Sequence, residues 1–361
     1  MTMPRGLSPY SRNRKEPFVK KAEIKPIADL NRVKLADVVP LDTPFALYLF
    51  HTNVCNFKCS YCAHSLGKEG MKEEYGFVPE IMPMEVFDRT VEQMRGFPRK
   101  FKFVSFTGQG EPLTNKRLPE LVARVRAANV AEVTEVITNG ALLTREMSSA
   151  LIEAGLDRMK ISIQGVNSEA YKNVTGVTVD FDRFVDQVRF LYERKGKMQL
   201  FVKVMDVSLA PGEDEKFYEI FGNITDRMYI ETCRPVYPGV DYENKTEELT
   251  MDRFGRPHEK RLVCPLCFFH LAIWPNGDVV PCDTILKPLV LGNVKEELLT
   301  NMWNGPAHRE FCAMQLRAER MSANAQCARC IAPDDVCHPE DALDADAERI
   351  LTAHYLPGCN A

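Results

Sequence analysis

Ala46-Leu47-Tyr48-Leu49-Phe50-His51-Thr52 is apolar and strand-prone, and Cys55-Asn56-Phe57-Lys58-Cys59-Ser60-Tyr61-Cys62 begins just past it. Three thiols packed this closely can wrap one face of an iron–sulfur cubane. Three thiolates on a [4Fe–4S] cluster leave one iron open, and metal sites that keep an open position are the reactive ones. The competing reading is a closed zinc site, which needs a fourth Cys or His; His51 and His64 stand near in the sequence.

Outward from this pair, the chain keeps alternating. Phe101–Thr107, Val133–Thr138, Arg158–Ile163, Gln199–Met205 and Met228–Thr232 are strand-like, while 83–95, 116–129, 144–155, 180–195 and 213–221 carry helical apolar spacing. Such alternation predicts an α/β fold, parallel strands with crossover helices. Six units over 46–237 make a partial or closed (β/α)6 barrel with its ligand site at the C-terminal strand ends. Residues 1–45 read as an arm whose basic first part, 1–26, is solvated or loosely ordered, with contact to an anionic substrate or a partner as the alternative. Residues 238–262 are polar and read as a linker. Residues 263–361 read as a small cysteine-rich domain, in which His270–Ile273 and Val279–Cys282 flank the hairpin signal Pro275-Asn276-Gly277.

The composition narrows the class. The chain has 361 residues, 45% hydrophobic and 27% charged, with a formal net charge of −4, which gives no field for nucleic acid over the whole surface. No apolar run reaches the roughly 18–20 residues that span a bilayer, and no signal peptide precedes the first strand. The expectation is a cytoplasmic protein with neither nucleic-acid nor membrane partner. In a reducing compartment its 12 cysteines are metal ligands or reactive groups rather than a disulfide framework. They fall at 55–62 and at 264–359, with Cys312 inside the second group and Cys233 apart.

The first cysteine triplet resembles the hallmark motif of the radical S-adenosylmethionine (SAM) superfamily. The resemblance implies a [4Fe–4S] cluster on Cys55, Cys59 and Cys62 whose open iron chelates SAM, with Tyr61 by the adenine. It implies that Gly108-Gln109-Gly110-Glu111 binds the methionine amino group. It also implies that Asn139 and Ser162-Ile163-Gln164, at the ends of the third and fourth strands, face the carboxylate or ribose; a turn or cap role is the alternative for Asn139 and Ser162.

The later cysteines resemble the SPASM extension, which carries auxiliary [4Fe–4S] clusters. This implies that Cys264, Cys267 and Cys282 hold one cluster, and that Cys327, Cys330, Cys337 and Cys359 hold a second. The spacing departs from the family in two places. The gap from Cys330 to Cys337 is one residue longer, and the cysteine expected shortly after Cys337 is absent. Asp341 is the preferred replacement ligand, with Cys312 competing and a helix-capping role as the plain alternative for Asp341. Zinc ribbons on the two Cys-x2-Cys pairs are the other reading of this region.

The resemblance implies reductive cleavage of SAM and abstraction of a carbon-bound hydrogen, with electrons from a donor such as flavodoxin or ferredoxin, and it implies oxygen sensitivity. Cys233 follows the sixth strand and is the candidate hydrogen donor, with an inert buried thiol as the alternative. Arg234, Lys203, Asp206 and Glu231 are candidate substrate clamps or proton acceptors. The short arm disfavours a leader-binding domain, so the expected substrate is a small polar molecule of sugar, cyclitol or aminoglycoside type, undergoing epimerisation or dehydrogenation. Radical modification of a ribosomal peptide is the alternative. A non-enzymatic iron–sulfur or zinc protein is the alternative of another class.

Overall fold

The computed structural model describes residues 22–26, 32–242 and 250–356. One continuous sheet organises them. Strands β2 (Ala46–Leu49), β3 (Phe101–Phe106), β4 (Ala131–Thr138), β5 (Arg158–Ile163), β6 (Gln199–Met205) and β7 (Arg227–Glu231) lie side by side in chain order and all parallel. A short strand β1 (Glu23–Ile24) adds to the β7 edge, so part of the arm expected to be solvated is paired to the sheet. At the opposite edge, β8 (His270–Ile273) pairs in parallel with β2, from Ala46 against His270 to Leu49 against Ile273. It then turns into β9 (Asp278–Val280) and β10 (Gly292–Asn293), both antiparallel. The fold is the expected α/β partial barrel, joined to its cysteine-rich region by a shared sheet.

The crossovers are helices α1 (Gly67–Tyr75), α2 (Met84–Met94), α3 (Leu118–Ala128), α4 (Arg145–Glu153), α5 (Ser168–Thr175), α6 (Phe181–Arg194) and α7 (Glu213–Phe221). Several begin on side chains that accept the first free amides: Thr144 from Met147, Asn167 from Ala170 and Asp180 from Arg183. Their apolar faces bury Phe87, Val122, Leu151, Val188 and Phe221 against the strand residues Val104, Val136, Ile161 and Val202. The sequence reading missed α1 and α5, both short and mostly polar.

Beyond the barrel, α8 (Leu299–Asn304) buries Leu299, Met302 and Trp303 in the barrel's own cluster, while α9 (Pro306–Leu316) packs in a second apolar cluster around Leu266, Phe268, Cys312 and Ile350. Gln93 on α2 clips this region to the barrel: its Nε2 donates to the Val294 carbonyl at 2.8 Å and its Oε1 accepts from the Leu299 amide at 3.0 Å. The hairpin turn comes out as predicted, with Gly277 at φ +95° between β8 and β9. No helix among the described residues is long and apolar enough to cross a membrane.

Candidate active site

The C-terminal ends of the parallel strands open onto a cavity of about 200 Å³. Its wall brings together Cys55, Cys59, Cys62, Tyr61, Gly108, Gln109, Gly110, Glu111, Asn139, Ser162 and Gln164, all eleven residues singled out from the first motif and the strand ends. Several are fixed by one another. Tyr61 donates its hydroxyl to Gln164 Oε1, and Gln164 Nε2 donates to the Ser162 carbonyl at 2.9 Å. Asn139 Nδ2 donates to Asn56 Oδ1 at 2.9 Å, linking the β4 end to the cysteine loop.

Glu111 has an internal role as well. Its buried carboxylate accepts from the amides of Leu113 at 2.9 Å and Asn139 at 2.7 Å and from the Thr138 hydroxyl. It therefore pins the glycine turn to the end of β4. Gly110 is required by space: a Cβ there would meet the Asn53 carbonyl carbon at 2.5 Å and the Val54 oxygen at 2.6 Å. The cysteine loop and the glycine turn are in backbone contact.

The three thiols suit a multinuclear iron group. Burial pushes Cys55 up to about 12 and raises Cys59 and Cys62, and for Cys55 and Cys59 the neighbouring thiols add to the rise. Three buried thiols with no cation among them stay protonated, whereas iron would offset the cost of ionising them. Neither histidine completes a zinc site. His51 is fully buried, with Nδ1 3.1 Å from Asn115 Nδ2, and His64 Nε2 is 2.6 Å from the Gln109 carbonyl. Among the described residues, no three Cys, His, Asp or Glu converge as on a single metal ion.

A second cavity, about 440 Å³, adjoins the first and shares Gln109, Lys203, Glu231 and Tyr237 with it. An ion-pair network runs along its barrel side. Glu135 Oε2 takes Arg158 Nη1 at 3.1 Å and Lys160 Nζ at 2.8 Å. Lys203 Nζ meets Glu231 Oε2 at 2.6 Å. Asp335 takes Arg253 Nη2 at 2.8 Å and Arg234 Nε at 3.6 Å. The chamber wall itself carries five cations, Arg32, Arg158, Lys160, Lys203 and Arg253, against four carboxylates, Glu231, Asp283, Asp335 and Asp341. Burial alone would raise Glu231, but Lys203, Arg253 and Lys160 hold it below its ordinary value.

Period-two alternation could have shown part of this network, since Arg158, Lys160 and Ser162 share one face of β5. Arg253, from the stretch read as a linker, gave no such signal. Of the candidate clamps, Lys203 and Glu231 line the chamber. Asp206 instead accepts from the amides of Cys233 at 2.9 Å and Val207 at 2.8 Å. Cys233 is buried, 3% exposed, near Tyr61 and Tyr242 and off the walls of both cavities.

In the C-terminal region, Cys264, Cys267, Cys282, Cys327 and Cys330 line one narrow cavity, although the resemblance divides them between two clusters. Burial raises all five thiols above their usual value. Cys337 is buried and interacts electrostatically with Cys264. Cys359 lies outside the described residues. Asp341 is held by the Arg32 guanidinium and accepts from the His338 amide at 2.8 Å, capping a short 3-10 helix. Cys312 Sγ lies 3.8 Å from Cys267 Sγ and 3.5 Å from His308 Nε2.

Comparison with known proteins completes this picture. Residues 49–220 match the model of the radical SAM superfamily, and residues 264–331 match that of the SPASM iron–sulfur cluster-binding domain. Similar curated proteins include a probable GTP 3′,8-cyclase of Methanococcus maripaludis, 34% identical over 34% of this chain and 38% of its own. Another, of Metallosphaera sedula, is 34% identical over 38% and 39%. The chain thus spans about two-fifths of the length of these relatives. Among solved structures, Streptococcus suis SuiB bound to precursor peptide SuiA superposes with TM-score 0.60 at 15% identity, covering 85% of this chain and 78% of SuiB. Native anSMEcpe with bound AdoMet gives 0.56 at 18%, covering 85% and 96%. These last two show the shared fold.

The curated relatives correct the expected chemistry. They are named for a cyclase acting on GTP, so epimerisation or dehydrogenation of a sugar, cyclitol or aminoglycoside does not stand, and modification of a ribosomal peptide gains nothing.

Proposed function

We propose that this chain, a radical S-adenosylmethionine enzyme with a C-terminal SPASM domain, abstracts a hydrogen from an anionic small molecule held in the chamber next to the cofactor pocket. The substrate class that fits best is a purine nucleoside triphosphate, of the kind its curated relatives are named for, and the reaction class is radical cyclisation. The observation that carries this reading is the set of cations on the chamber wall, Arg32, Arg158, Lys160, Lys203 and Arg253, which outnumber its four carboxylates.

When bound, the iron–sulfur cluster and SAM supply a 5′-deoxyadenosyl radical. The chain's own residues do the rest. Asn139, Ser162, Gln164 and Tyr61 line the cofactor's side of the pocket. Arg158, Lys160 and Arg253 offer charge to phosphate groups, and each already has a carboxylate partner that a bound anion would share. Lys203 and Glu231 stand where the two cavities meet, against the part of the substrate closest to the cofactor. A cytoplasmic setting and a donor such as flavodoxin or ferredoxin complete the proposal.

The test is anaerobic. The reconstituted protein is given dithionite, SAM and GTP, and 5′-deoxyadenosine and nucleotide consumption are followed together. Deoxyadenosine formation that GTP stimulates, with matching loss of GTP, supports the reading. Deoxyadenosine formation indifferent to every nucleoside triphosphate would overturn the substrate class and leave the radical chemistry in place.

A further inference from the structure

The five-cysteine cavity contains a buried charge with no counter-charge of its own. Arg320 lines this cavity and is 3% exposed. Its Nη1 donates to the carbonyls of Cys327 and Cys330, both at 3.2 Å, and its Nη2 to the carbonyl of Arg261 at 3.2 Å. Its Nε is buried and has no hydrogen-bond partner. No carboxylate among the described residues pairs with it. Of the other buried arginines, Arg234 faces Asp335, while Arg261, whose Nη2 donates to the His338 carbonyl at 3.2 Å, lies outside this cavity's lining.

A guanidinium does not shed its proton in a protein. Carbonyl dipoles orient it but leave its charge uncompensated, and a buried uncompensated charge is strongly destabilising. The compensating anion therefore has to arise inside the cavity. Five cysteines line the same cavity, and their thiols are the groups there that iron would convert to thiolates. Ligation of iron changes the balance, because an oxidised [4Fe–4S] core with four thiolates is a dianion and its one-electron reduction gives a trianion.

We propose that Arg320 is the built-in counter-cation of an auxiliary iron–sulfur cluster and holds that cluster's reduction potential up. Reduction adds one electron from a low-potential donor, breaks no bond and moves no proton. The added negative charge appears beside the guanidinium, which favours the reduced form. Gln315 supports the arrangement from α9: it is fully buried, its Oε1 accepts from the Cys264 amide at 3.3 Å, and its Nε2 points at Cys327 Sγ at 3.6 Å.

The experiment titrates the C-terminal cysteine region without the first cluster, in full-length protein whose Cys55, Cys59 and Cys62 are all replaced by Ala. Electron paramagnetic resonance follows the reduced cluster as the potential is lowered with dithionite and mediator dyes, and iron per chain is counted in parallel. Arg320→Gln is expected to disfavour reduction at least tenfold, a shift of about 59 mV to lower potential for one electron. Arg320→Lys, which keeps the charge, is expected to stay within about threefold of the parent. If Arg320→Gln fails to retain iron, recovery of the parent's iron content and potential by Arg320→Lys also supports the proposal. An unchanged potential in iron-replete Arg320→Gln overturns it, as does an Arg320→Lys protein as impaired as Arg320→Gln.

Discussion

Lys203 Nζ lies 2.6 Å from Glu231 Oε2, and both side chains border the cofactor pocket on one side and the chamber on the other. The pair comes from adjacent strands β6 and β7, where Met205 is opposite Glu231 and Lys203 is opposite Tyr229. One side chain of each strand thus stands at the junction of the two cavities.

Removing one member leaves the other buried. Lys203→Met is expected to cost about 3 kcal/mol in urea unfolding, at the lower end for a broken buried pair because Arg253 and Lys160 still face Glu231. The double variant Lys203→Met/Glu231→Leu should recover part of that loss. In turnover, Lys203→Met should raise KM for the nucleotide at least about tenfold while substrate-free SAM cleavage persists. A wild-type KM in this variant would remove the pair from the substrate's path.

The cysteine triplet separates cleanly from the rest. Replacing Cys55, Cys59 and Cys62 together with Ala should lower the reconstituted iron content by about four per chain. Deoxyadenosine formation should vanish, with the far-ultraviolet circular dichroism unchanged. Full iron in the triple variant would mean that the cluster is held elsewhere.

Gly110 tests the close approach of two loops. Gly110→Ala forces a Cβ to within 2.5 Å of the Asn53 backbone, so the glycine turn must move away from the cysteine loop. The expected outcome is a loss of about 1–3 kcal/mol of stability and weaker SAM binding by calorimetry. Full SAM affinity in this variant would show that the turn's position is not critical.

His51 gives a pH signature. Burial lowers its pKa to about 3, against an ordinary value near 6.5. A depressed histidine pKa means that the unfolded chain takes up the proton first. Its contribution is therefore fully present above pH ~6.5, falls as the pH drops from there, and is gone by pH ~3, by at most about 5 kcal/mol. His51→Asn, measured by thermal unfolding across that range, should show a shallower decline than the parent. Equal slopes would exclude His51 as the source.

Much of the cofactor side was legible because its signals are local. A strand followed by three spaced cysteines, a glycine turn after the next strand, and polar residues at later strand ends are each readable within a few residues. The chamber was less so. Its charge network is assembled from β4, β5, β6 and β7 together with Arg253 and Asp335, and nothing near Arg253 or Asp335 in the sequence marks either as facing a cavity. Cys233 illustrates the limit of strand-end reasoning. The strand stops at Glu231, and the Cys233 amide turns to Asp206, so alternation no longer predicts where the thiol goes. The sharing of one sheet by both regions also left no trace, because β2 and β8 pair across more than two hundred residues.

That pairing shapes how the chain is made. β2 leaves the ribosome more than two hundred residues before β8, and one of its edges stays unsatisfied until His270–Ile273 has been synthesised. Through that interval the nascent barrel carries an open, apolar edge, the kind of surface that recruits neighbouring chains. Truncation within 238–262 would make this exposure permanent, so the barrel half is expected to aggregate when expressed without the strand that closes it.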